Sequence, residues 1–302
     1  MIGRVELAVS VVIASERVRT LLPECLSSLE RQQAAPAFEV LVVSAEPPES
    51  EGIRFPLRWI RDEGRNPSRR RNRAAREARG RCLAFVDDDA APEPSWVAAG
   101  AAALGSAEIV GGPDLGPVDA PYSERVSNLL LATPWIGSGV PAHEWNPRGG
   151  PVRSAHDVAL CNLFVRRAMD AGLRVVLDPA VRVRHRRRGF PGPYLAQRWR
   201  YRVKTGRLLV QRPGLHARGR VAALLAAGFA SSAGLALFGP RVLAGTAAVY
   251  AALTWALSFP IWRRDPVLFP AVPFAFAAHH ATYFAGLLAG IAGGTLAAVA
   301  GR

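Results

Sequence analysis

Cys82-Leu83-Ala84-Phe85-Val86-Asp87-Asp88-Asp89 is the stretch on which the fold turns. Its first five residues are apolar and read as a buried strand, which runs straight into three carboxylates. On an extended segment, side chains two apart project to the same side, so Asp87 and Asp89 form a pair, with Asp88 nearby. A bare triplet of this kind often marks only a solvated turn. At the carboxyl end of a strand it can hold a hard cation such as Mg²⁺ or Mn²⁺, whose remaining positions accept phosphate oxygens.

The residues upstream supply the context. Glu6 to Ala14, Phe38 to Val43 and Leu57 to Arg61 read as further strands. Arg19 to Gln33 has helical spacing, with Leu22, Cys25, Leu26 and Leu29 on one side. Asn66-Pro67 offers an N-cap and a proline at the first helical position, which predicts a helix to about Ala78 with Gly80 as its terminator. Strands alternating with helices predict an α/β fold with a mostly parallel, doubly wound sheet, whose ligands lie beyond the carboxyl ends of the strands. Arg69, Arg70, Arg71 and Arg73 lie in the first turns of the helix, where their guanidiniums could meet phosphate oxygens, whereas Arg76 and Arg79, with about half of the others, read as a solvated basic face.

Downstream the composition changes. The chain has 302 residues and a net charge of +14, but residues 1–181 carry 21 basic and 23 acidic side chains. Residues 182–220 carry 13 basic side chains and no acidic one, and residues 221–302 are nearly uncharged. This is a near-neutral head, a basic collar and an apolar tail, not an evenly basic nucleic-acid binder. Cys25, Cys82 and Cys161 are widely spaced, which excludes a disulfide scaffold and suits a reducing compartment.

A membrane span needs about 20 apolar residues. Residues 221–239, 242–262 and 277–300 are read as three such spans, with 267–276 as a re-entrant or interfacial piece. The arginine bias puts the head and collar in the cytosol at the plasma (inner) membrane, as a multi-pass protein without a signal peptide. Tyr194 to Gln211 is amphipathic, with Leu195, Trp199, Val203 and Val210 on one face, and reads as a helix lying on membrane lipids. Gly286, Gly290 and Gly294 fall on one face of the last span, a spacing that permits close helix contact.

The chain resembles glycosyltransferase family 2, of the GT-A fold, in its membrane-anchored bacterial form. The matching stretches are Ser10 to Ser15, Cys25 to Leu29 with Gln32, Glu39 to Val43, Arg71-Asn72 and Leu83 to Asp89 with Trp96. They continue with Gly111-Gly112-Pro113, Cys161 to Arg167 and Asp178 to His185. The resemblance implies three domains: a GT-A-like domain over 1–188, a basic juxtamembrane segment over 189–220 and a membrane domain over 221–302. It implies an inverting, hexosyltransferase-like enzyme that moves a sugar from a nucleotide-diphosphate donor to a lipid-linked or membrane-proximal glycan acceptor. By position, the donor would meet Ala14, Glu46, Arg71, Asp87, Asp88 and Asp89, and Mg²⁺ or Mn²⁺ would be held by Asp87, Asp89 and His185.

Two departures stand out. The end of the second strand reads Ser44-Ala45-Glu46, so Glu46 replaces the family's base-reading Asp. The junction after Arg167 is short and lacks the acidic pair that resemblance assigns as catalytic base, as if by an internal deletion. Asp157 and Asp170 are the substitutes within reach in sequence. The alternative is therefore a nucleotide-sugar-binding or scaffold subunit for cell-envelope glycan assembly, with impaired catalysis.

Overall fold

The structure is a computed structural model. It describes residues 7–133, 149–152, 158–167, 174–211, 228 and 239–300, with side chains to 296. Two compact units are present: Met1–Asp119 with Val140–Arg186, and Ala120–Gly139 with Arg187–Arg302.

The first unit is built on strands β1 (Val9–Ala14), β2 (Phe38–Ser44), β3 (Leu57–Arg61), β4 (Cys82–Val86), β5 (Ala90–Pro92) and β6 (Ile109–Gly111). It continues with β7 (Asp114–Leu115), β8 (Gly150–Pro151), β9 (Asn162–Arg166), β10 (Val175–Leu177) and β11 (Val183–His185). Its helices are α1 (Leu22–Glu30), α2 (Pro67–Glu77) and α3 (Trp96–Ala103). The main sheet has the order β3-β2-β1-β4-β9-β6-β10-β8. The expected α/β class and the early strands hold. The sheet is mixed, however, because β9 runs antiparallel to both β4 and β6, and β8 antiparallel to β10.

Alternation along the strands explains why both faces are covered. Val9, Val11 and Ile13 of β1, with Val40, Val42, Ala84 and Val86, pack on Leu22, Cys25, Leu26 and Leu29 of α1. The intervening residues Val12, Leu41 and Val43 pack on Ala74 of α2 and on Ala78. Each fully buried Val, Leu or Ile contributes about 1.5–3 kcal/mol, so a strand apolar at every position is stabilised from two sides. Asn66 caps α2 as expected, accepting from the backbone N–H groups of Ser68 and Arg69 at 3.0 and 3.3 Å. Gly80 has another role than the one expected: α2 ends before Ala78, and a Cβ at Gly80 would collide with the Ser10 backbone. Its bareness lets β4 start against β1.

Buried polar side chains pin the loops. Glu39 is buried and accepts from Ser10 Oγ at 2.8 Å, Arg79 N at 2.7 Å and Arg58 Nη1 at 3.2 Å. Asn162, fully buried at the start of β9, accepts from Trp96 Nε1 at 2.7 Å. Its amide donates to Pro113 O at 3.1 Å and Val181 O at 2.8 Å.

The second unit contains α4 (Tyr122–Ala132), α5 (Gly192–Gln211), α6 (Pro240–Trp262), a 3₁₀ turn (Pro266–Ala271) and α7 (Val272–Ala300). Its core joins Val126, Leu129 and Leu130 of α4 to Tyr194, Leu268, Val272 and Phe276. Tyr194 Oη lies 2.9 Å from His279 Nδ1, and Tyr250 Oη lies 2.8 Å from His280 Nδ1, so adjacent histidines of α7 bind α5 and α6. Among the described residues two stretches are long and apolar enough to cross a membrane, Pro240–Trp262 and Pro266–Leu296. The segment expected as a separate interfacial piece, 267–276, is divided between the 3₁₀ turn and the start of α7. The span read at 221–239 lies outside the described residues apart from 228 and 239.

The apolar face of α5 is covered by α7. A Cβ at Gly290 would overlap the Val203 backbone, one at Gly286 would crowd Trp199 and Arg202, and one at Gly294 would press on Val210. The glycine stripe thus admits α5, and Arg202 stacks 3.8 Å from the Tyr283 ring centroid.

Two outcomes are expected from purified protein in thermal unfolding. Asn162→Ala leaves Trp96 Nε1 and Val181 O without their partner, at about 1–3 kcal/mol for each, and should lower Tm by several degrees. Gly290→Ala should lower Tm through overpacking worth about 1–3 kcal/mol, whereas Gly245→Ala, in open space, should not.

Candidate active site

The triplet occupies the carboxyl end of β4, beside the same end of β1 and the start of β9. The triplet is not the extended segment expected: the strand ends at Val86, and the aspartates form a turn in which Ala90 N donates to Asp87 O at 3.1 Å. Asp88 is buried at 5% exposure and turned to the β1 loop, where it accepts from Ser15 Oγ at 2.8 Å and Arg17 N at 3.2 Å. Arg17 Nη2 adds a third donor at 3.0 Å. Asp87 pairs with Arg71 Nη2 at 2.5 Å. Asp89 accepts from the same Arg17 Nη2 at 2.7 Å and meets His185 Nε2 at 2.9 Å.

A second, three-stranded sheet delivers His185. β11 lies between β5 and β7, with His185 in register with Ala90 and Val183 in register with Asp114. Since β5 begins directly after Asp89, the pairing sets the imidazole against that carboxylate. The other ring nitrogen, Nδ1, lies 3.2 Å from Oδ1 of fully buried Asp114.

Burial of a carboxylate costs several kcal/mol unless it is paired, and the ionisation behaviour follows. Burial pushes the Asp89 carboxyl up, but the hydrogen bond and charge of His185, with those of Arg17, outweigh it and bring it from 3.8 to about 2. Burial likewise works against a charged His185, and the surrounding Cys161, Asp114 and Asp89 groups overcome it and raise the ring well above its ordinary value. Burial pushes the Cys161 thiol up to about 12.

One oxygen each from Asp87 and Asp89 and one nitrogen from His185 lie within 4.8 Å of one another. The two carboxylates suit Mg²⁺ or Mn²⁺ by donor type, and the imidazole favours a first-row ion such as Mn²⁺ over Mg²⁺. Asp114, Cys161 and His185 form another such group, sharing the imidazole. A cavity of about 540 Å³ opens nearby, lined by Ser15, Arg17, Arg19, Glu46, Arg65 and Arg70 among others.

The expected residues therefore gather in part. Asp87, Asp88, Asp89, Arg71 and His185 converge. Glu46 lines the cavity, paired with Arg19 at 3.0 Å. Ala14 ends β1, one residue before the lining begins. Asp157 and Asp170 lie outside the described residues. Of the other helix arginines, Arg70 is not available to a ligand as expected: it is buried and donates to the carbonyls of Ser15 and, at 2.9 Å, Asp62. Arg73 bonds Arg61 O at 2.6 Å. Sequence reasoning missed Arg17 and Asp114. Arg17 follows the apolar run of β1 and Asp114 follows Gly111-Gly112-Pro113, positions adjacent to quoted stretches but without a pattern of their own.

Residues 10–114 match the sequence model of Glycosyl transferase family 2. No curated protein matches the chain by sequence. Among solved structures, the mannosyltransferase PcManGT from Pyrobaculum calidifontis, in complex with GDP-Man and Mn²⁺, is 17% identical with a TM-score of 0.48, over 91% of this chain and 86% of that one. TarS 1–349 from S. aureus, in complex with UDP-GlcNAc, is 12% identical with a TM-score of 0.41, over 93% and 90%.

A carboxyl depressed in the folded state contributes stability above its unfolded value, and that stability is lost as the pH falls through the folded one. For Asp89 the window runs from 3.8 down to about 2. Arg17→Met removes one of its cationic partners and brings the folded value closer to 3.8, so the variant should have a lower Tm than the parent protein above this window, and the gap should narrow as the pH falls through it.

Proposed function

We propose that the chain is a membrane-anchored inverting glycosyltransferase, with a donor-binding head over 1–188, a basic segment over 189–220 and a membrane domain over 221–302. The observation that carries this reading is the convergence of Asp87, Asp89 and His185 beside a cavity at the sheet's carboxyl edge, within a family 2 domain. Asp87, Asp89 and His185 would hold Mg²⁺ or Mn²⁺, which neutralises charge on a departing diphosphate. Arg71 and Arg17 supply positive charge at the same edge, and Glu46 stands where a nucleobase would be read.

Transfer itself is an in-line exchange. The acceptor oxygen bonds the anomeric carbon, the bond to the diphosphate oxygen breaks, and a carboxylate takes the hydroxyl proton. Asp157 and Asp170 are the candidates for that carboxylate. The apolar helices favour a lipid-linked or membrane-proximal glycan acceptor and a head on the cytosolic side of the plasma membrane. The short junction after Arg167 supports a second reading, a nucleotide-sugar-binding subunit without turnover.

Calorimetric titration of the detergent-purified chain with UDP- and GDP-sugars and Mn²⁺ tests the shared part. Binding should require the cation, and Asp87→Ala and Asp89→Ala should each weaken it at least tenfold. No heat with any donor would defeat both readings. Sugar release or transfer from a bound donor selects the enzyme; binding without turnover selects the subunit.

A further inference from the structure

We propose that Asp114 is a positioning residue, which holds His185 for the cation through the imidazole nitrogen that the cation does not use. The inference rests on the cation site of the preceding reading and deepens it.

The two nitrogens of His185 face different groups. Nε2 points to Asp89, inside the Asp87–Asp89–His185 set, and Nδ1 points to Asp114. A metal-binding histidine is oriented by an acceptor on its second nitrogen, and loss of that acceptor commonly costs 10–100-fold in metal affinity. Asp114 has the rigidity that the task requires. It is fully buried in β7, in register with Val183 two residues before the histidine. The preceding carbonyl, Pro113 O, accepts from Val183 N at 3.1 Å and from the Asn162 amide at 3.1 Å. Gly112, one residue earlier, leaves no room for a side chain against Val181 O. The backbone leading into Asp114 is thus held from three sides, and the buried carboxylate lies against Nδ1 of His185.

The consequence is measurable as cation affinity, independent of catalysis. Mn²⁺ binding to the full chain in detergent can be followed by the loss of the free-ion electron paramagnetic resonance signal, with Mn²⁺ alone and with Mn²⁺ plus UDP or GDP. Asp114→Leu keeps the branching at Cγ and removes the acceptor; its affinity should fall 10–100-fold. Asp114→Asn keeps a neutral acceptor for Nδ1 and should lose only a few-fold. In a His185→Ala background neither substitution should change affinity further. Parent-like affinity in a folded Asp114→Leu protein overturns the proposal, as does an undiminished loss when His185 is already absent. If Asp114→Leu does not fold, Asp114→Asn decides: a few-fold loss that vanishes without His185 supports the role, and unchanged affinity refutes it. A parent protein that takes up no Mn²⁺ under either condition defeats the cation site, and this proposal with it.

Discussion

Three consecutive carboxylates at the end of a buried strand repel one another, and the head is arranged around neutralising them. Arg17 comes from the loop after β1, Arg71 from α2 and His185 from β11, and each reaches a different part of the triplet. A neutral partner would leave part of the desolvation cost uncompensated. The same cations stand where an anionic ligand would need them, so the counter-charges of the free site and the recognition of a donor draw on one set of side chains.

The backbone makes this possible by close approach at a few bare positions. Gly80 lets β4 start against Ser10, Gly100 leaves space for the Phe164 ring, and Gly112 passes under Val181. Asn162 then ties the turns around Pro113 and Val181 to Trp96. Together these residues set where β9, β7 and β11 lie, and with them Asp114 and His185.

Much of this was legible in advance because it is local. The apolar runs of β1, β2 and β4 and the Asn66 cap all follow from periods of a few residues. The family resemblance added His185, which periodicity alone would leave as one more surface histidine in a basic run. What stayed hidden is non-local. The reversal of β9 has no signature within its own five residues, because direction is settled by its neighbours. Arg17 and Asp114 acquire their meaning only from partners 71 residues away in each case. Arg70 looked like its neighbours in a run of arginines, and only the burial of one helix face separates it from Arg71. The glycine stripe of α7 was visible as a pattern, but not its partner, α5.

The small sheet has a consequence for biosynthesis. Asp89 and His185 lie 96 residues apart, and contacts of that separation close slowly, because the loop entropy is lost before they form. As the chain leaves the ribosome, β1 to β4 and the triplet emerge long before β11. The nascent head therefore passes through a stage in which the acidic edge exists without its imidazole. Cation competence of the kind described here would come only as the last strand docks, with the apolar helices next in line for translation.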